Sequence, residues 1–143
     1  MGASVAKSFE SEVAKAFHFL VAEHGLACST GGEPAQVRYG GVGLHYEIAF
    51  DPVARAVTTS LARDIDGVRM TATLPALVLG AALGTAAHVR SGARTLTELR
   101  SSVLSQAAYV RRLQPYLTPL NVVPLMRAAH TLEQHATAAP PPA

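Results

Sequence analysis

His45 and Glu47 stand two residues apart in the run Leu44-His45-Tyr46-Glu47-Ile48, and an imidazole beside a carboxylate can work as an acid–base pair. On a strand, positions two apart share a face, so long side chains there can just meet. A solvated sheet face produces the same spacing, and both readings stand. Asp64-Ile65-Asp66-Gly67 carries part of a calcium-loop pattern. The further oxygen ligands and the bidentate glutamate are missing from Val68-Arg69-Met70-Thr71, so the stretch reads as a hairpin turn. His18 and His24 are six residues apart and His130 and His135 five, and neither spacing puts both rings on one helix face. Cys28 is the only thiol and has no nucleophile signature around it; it reads as a small buried thiol. Gly40-Gly41-Val42-Gly43 precedes a strand, whereas a phosphate cradle ends at a helix N-terminus. A bulge or strand start is the reading there. No catalytic, metal-binding or cofactor-binding residue is assigned on these grounds, and no cofactor is expected.

The remaining chemistry is charge. Residues 1–66 hold five basic and eight acidic side chains, a net of −3. Residues 90–127 hold Arg90, Arg94, Arg100, Arg111, Arg112 and Arg127 against Glu98 alone, a net of +5. Tyr109 and Tyr116 are interleaved with these arginines. Such a segment can meet nucleic acid, an acidic protein, or the acidic half of a second copy, and it can also be an ordinary solvated helix surface. No helix-turn-helix or strand-borne aromatic motif supports nucleic acid.

The elements that position these residues follow from periodicity. The 143 residues are 49% apolar and 15% charged, which predicts one packed domain over 1–137 and excludes intrinsic disorder for it. Phe9, Val13, Ala16, Phe17, Leu20 and Val21 recur at a 3.6-residue period and predict a helix from about Val5 to His24, capped by Gly25. Ser29 to Pro34 reads as a loop. Val37 and Tyr39 predict a short strand, and Val42 to Phe50 a half-buried one with His45 and Glu47 on its polar face. Two further alternating runs, Val57 to Leu61 and Val68 to Ala72, complete a meander joined by turns at Asp51-Pro52 and Asp66-Gly67.

The uncharged stretch Leu74 to Ala87 is shorter than the roughly 20 residues a bilayer span needs. It predicts a core helix opened by Pro75, in which Gly80 and Gly84 allow a neighbouring element close. Thr95 and Glu98 form a capping box for a helix running to Pro115. A final helix is expected from about Pro124 to Gln134, with a disordered tail at 138–143. The expected fold is therefore α+β: an N-terminal helix, a three- to four-stranded antiparallel meander, then three helices packed on one sheet face.

The helix ending in Glu23-His24-Gly25-Leu26, the Val37-x-Tyr39 pair and the strand closing on Phe50-Asp51 resemble small bacterial immunity-type proteins that neutralise toxins. The helix–meander–helix order is similar to the secretion-chaperone-like fold. The resemblance spans about residues 9–90 and carries over no functional residue; it implies partner binding. A bacterial, cytoplasmic protein-binding module without enzymatic activity is the expected function, with another protein as partner and a homodimer as one form of it. The candidate interaction surface is His45, Glu47, Arg100, Tyr109, Arg111 and Arg112. The alternatives are a small-ligand protein or enzyme with a pocket between helix and sheet, His45 and Glu47 on its rim, and nucleic-acid binding through the arginine-bearing helices. No membrane association is expected.

Overall fold

In the computed structural model, the residues described are 2–32, 35–41, 43–65, 67–117, 121–129 and 132–135. The expected tail at 138–143, Val42, Asp66 and His130 lie outside them.

The apolar stripe of the N-terminal segment forms two consecutive helices, α1 (Gly2–Ala16) and α2 (His18–Ala22), where one had been expected. The break falls at Phe17, where the Leu20 N–H reaches the Phe17 carbonyl at 3.0 Å in a tighter i to i+3 bond. Phe17, Phe19 and Leu20 are all buried after this turn. Gly25 ends the segment at φ 68°, the left-handed cap its position predicted.

Six strands follow the chain in order across one antiparallel sheet: β1 (Ala27–Gly31), β2 (Gln36–Gly41), β3 (Leu44–Asp51), β4 (Ala56–Ile65), β5 (Val68–Thr73) and β6 (Leu132–His135). The meander is thus wider than the three or four strands expected. β1 lies largely in the stretch read as a loop, since its residues are small and exposed throughout. β6 replaces the end of the expected last helix; α5 (Val122–Ala128) stops early and the chain returns to pair with β5. The expected hairpin between β4 and β5 forms, with Ile65 opposite Val68 and Gly67 at φ 77°. Gly40 and Gly41 belong to β2, and the next hairpin turns at Gly43, φ 71°.

Period two along β3 separates the faces. Leu44, Tyr46, Ile48 and Phe50 are buried, while His45, Glu47 and Ala49 are partly exposed. The buried side meets α1 and the long helix α4 (Leu96–Leu113) in one hydrophobic cluster. Phe9 and Phe50 pack at 5.9 Å between ring centroids, and Phe17 stacks on Tyr39 at 6.0 Å. Each such ring removed from water contributes roughly 1.5–3 kcal/mol.

Most polar groups on this side are paired, the exception being Arg63, opposite Leu44 on β4, whose Nε is buried without a hydrogen-bond partner. The Tyr46 hydroxyl donates to Gln114. The Thr59 hydroxyl donates to Gln106 Oε1 at 2.7 Å, and Gln106 Nε2 donates to the Val57 and Arg90 carbonyls at 2.9 and 2.7 Å. This amide ties α4 to β4 and to the segment that precedes α4. That segment covers the edge of β4 beyond the end of β5, with the Val57 N–H on the Ser91 carbonyl at 2.8 Å.

The helix α3 (Leu74–Gly80) packs against α4 and against β4 and β5; it is opened by Thr73, whose hydroxyl accepts from the Ala76 N–H, and by Pro75. It ends seven residues before Ala87, at Gly80, and Ala82 turns the chain at φ 57°. A Cβ on Gly80 would sit 3.2 Å from the Ala129 nitrogen, so the glycine admits the end of α5, a close approach of the kind expected there. Thr95 caps α4 as predicted, accepting from Glu98 N–H at 3.1 Å; the Glu98 carboxylate takes the Arg94 N–H at 2.9 Å.

Candidate functional site

The face of the sheet turned away from α1 and α4 forms an open trough of about 1040 Å³. The pleat that buries Tyr46 and Ile48 places His45 and Glu47 here, with Ala62 and Ser60 opposite them on β4. Arg38 and Gly40 come from β2, Arg69 and Thr71 from β5, Ala27 and Ser29 from β1. At one end the trough meets Ala76 of α3 and Ala129 after α5. Its floor is made of small residues, and its charged residues are paired with one another.

His45 and Glu47 share the face, as their spacing predicted, but they do not pair. Glu47 faces Arg38 on the neighbouring strand at 3.4 Å, and Arg38 also donates to Gln36 at 3.0 Å. His45 Nε2 lies 3.6 Å from the Asp64 carboxylate. Asp64 accepts two hydrogen bonds from Arg69, at 2.8 and 3.1 Å. That fork from Arg69, with His45 adding to it, holds the Asp64 carboxyl below its usual range, and the same contact raises the Arg69 guanidinium. Gly40 makes the arrangement possible: a Cβ there would come within 2.8 Å of His45 Nδ1, so only glycine leaves room for the imidazole in this place.

Arg38 and Arg69 were not singled out from the sequence, and Gly40 and Asp64 were noted there only as parts of a strand start and a turn, not as neighbours of His45. The signal for two of them was present. The turn at Asp66-Gly67 fixes Ile65 opposite Val68, and counting back one pair gives Asp64 opposite Arg69. That pairing commits Asp64 to an arginine.

The second candidate surface lies on the other side of the sheet, so the structure does not join it to the first. Arg100 donates to Glu12 at 3.1 Å, and Arg111 donates to Glu23 at 3.1 Å while lying over the Phe19 ring at 4.3 Å. Arg112 stands over Tyr109 at 5.4 Å and reaches the Leu83 carbonyl at 3.4 Å. The acidic front and basic back of the sequence therefore meet within one chain, α1 and α2 against α4. His45 and Glu47 do not rim a pocket between the sheet and these helices; they lie on the opposite face.

Cys28 is exposed, not buried, because the helical layer does not cover β1. It faces Tyr39 across the β1–β2 ladder. Burial above all, with Cys28 alongside, pushes the Tyr39 hydroxyl well above its usual range, and burial alone does the same to Tyr46. Among the described residues no three His, Cys, Asp or Glu side chains gather to hold a metal ion. No helix among them is long and apolar enough to cross a membrane. Set beside protein-family models, curated proteins and solved structures, the chain finds no match in any of the three.

Proposed function

We propose that this chain is a non-enzymatic protein-binding module whose open sheet face receives an amphipathic helix of a partner protein. The observation that carries the reading is the trough itself: a sheet face that no helix covers among the described residues, floored by Gly40, Ser60 and Ala62. A sheet face is ordinarily covered by a packed layer, and small floor residues let a helix approach closely. The charges on this face, Arg38 with Glu47 and Asp64 with Arg69, balance to zero, which favours a near-neutral partner over nucleic acid. Exposed ion pairs of this kind cost little to rearrange, so the partner can exchange contacts with them. Catalysis is disfavoured because His45 and Glu47 are each engaged by a different neighbour. The resemblance to immunity-type proteins and secretion chaperones points the same way, with toxin neutralisation or secretion support as the specific versions.

The test is recovery from the native host of the chain with its partner, compared with two variants. Ala62→Arg fills the floor, and Ala108→Arg changes an exposed site on α4. The partner is expected with the parent and with Ala108→Arg, and lost with Ala62→Arg while the melting temperature holds. Recovery of the parent alone, or equal retention by both variants, overturns the reading.

A further inference from the structure

The strand β1 is the end of the sheet, laddered to β2 through all five of its residues and to nothing on its outer side among the described residues. All five are exposed, so even Cys28 and Thr30, which share the helix side with buried Val37 and Tyr39, stand clear of the helical layer. Unpaired N–H and C=O groups along such an edge are a template for another strand. Natural sheets blunt their edges with lysine, proline, inward charges or bulges. The sequence Ala27-Cys28-Ser29-Thr30-Gly31 has none of these.

We propose that β1 is a self-association edge, through which two copies of the chain pair antiparallel about a two-fold axis at Ser29. An antiparallel edge is self-complementary under a two-fold, and centring it on Ser29 pairs all five residues. Ala27 then lies opposite Gly31 of the second copy, Cys28 opposite Thr30, and Ser29 opposite itself. No side chain in this ladder is charged or larger than threonine. Arg38, beside Ser29 across the β1–β2 ladder, is drawn toward Glu47 on the next strand inward, away from the axis. The acidic and basic halves of the chain do not drive this pairing, because Glu12 and Glu23 are already occupied by Arg100 and Arg111 of the same chain. Ser29 also borders the trough, so the two troughs would meet at the axis on one continuous sheet. A five-residue ladder is smaller than the interfaces of permanent complexes, which makes the dimer concentration-dependent.

The purified chain alone tests this, independently of any partner in the trough. Light scattering after sizing should give twice 14.9 kDa at high concentration, undiminished in high salt. Cys28 and its symmetry mate are diagonal neighbours about 7–8 Å apart, within reach of a short bis-maleimide, so the single exposed thiol should yield a covalent dimer. Ser29→Glu offers Arg38 a partner within each copy but sets two carboxylates opposite each other across the axis. It should abolish the cross-link and restore 14.9 kDa while leaving the melting temperature unchanged or higher. Ser29→Ala should keep the dimer. A mass of 14.9 kDa at every concentration, or a dimer that survives Ser29→Glu, overturns the proposal.

Discussion

The two faces of this sheet are written by the same strands in alternate positions, yet they are built on opposite rules. On the covered face the residues are large and tightly packed, and the buried hydrogen bonds join neutral partners, as in Tyr46 with Gln114 and Thr59 with Gln106, while Arg63 keeps a buried Nε without a partner. On the open face they are small, with charges paired across neighbouring strands in full contact with water. The first arrangement stores stability; the second stores almost none and leaves a surface free to be covered. The contrast gives an order to the effects of substitution.

The largest loss should come from the covered face. Phe9→Ala removes a fully buried ring packed on Phe50 and should lower the unfolding free energy by about 3–5 kcal/mol in denaturant titration. Gln106→Ala comes next, by about 2–3 kcal/mol, because it strands the Thr59 hydroxyl and the Val57 and Arg90 carbonyls without their partner. A change confined to the helix termini would contradict the role given to this amide.

Alkaline unfolding separates the faces by pH. Tyr39 and Tyr46 have hydroxyls raised from the ordinary 10.0, so folding favours their protonated forms. Their contribution is complete below about pH 10 and is lost as pH rises from there toward the folded values. Tyr46→Phe removes one such group and should move the alkaline transition upward, read by circular dichroism against pH. Asp64 works in the opposite sense: its carboxyl is lowered, so its contribution is present above the usual carboxylate range and is lost as pH falls through it. The pair is well exposed, and Asp64→Asn should cost less than about 0.5 kcal/mol at neutral pH.

The smallest effect on stability should be Gly40→Ala, which leaves the ladder intact but pushes the His45 ring from its place. The imidazole resonances of His45 should shift and lose their dependence on Asp64, while the melting temperature barely moves. Unchanged resonances would show that the glycine does not position this histidine.

Much of the fold could be read from period and punctuation. Tyr46, Ile48 and Phe50 announced the buried face of β3, Gly25 the cap of the first helical segment, and Asp66-Gly67 the β4–β5 hairpin. β1 could not be read this way, since Ala27 to Gly31 buries nothing and is a strand only because β2 offers it a ladder. The break at Phe17 was hidden because its apolar residues fit the stripe of one longer helix as well as that of two. The site was half legible. His45 and Glu47 fell on the expected face, but their partners Asp64 and Arg38 depend on the register of other strands. The late arginines misled for a related reason: charge asymmetry along a sequence does not reveal that α4 folds back onto α1, where Arg100 finds Glu12.

The central claim is that the open face is where a partner sits, and carboxylate footprinting addresses it directly. Carbodiimide labelling with and without the partner reads each carboxylate separately by mass spectrometry. Glu47 and Asp64, on the open face, should be shielded in the complex, while exposed Glu10 on α1 and Asp51 at the β3–β4 turn should label as before. Equal labelling of Glu47 and Asp64 in the free and bound protein, with shielding at Glu10 instead, would place the partner on the helical side and contradict the account.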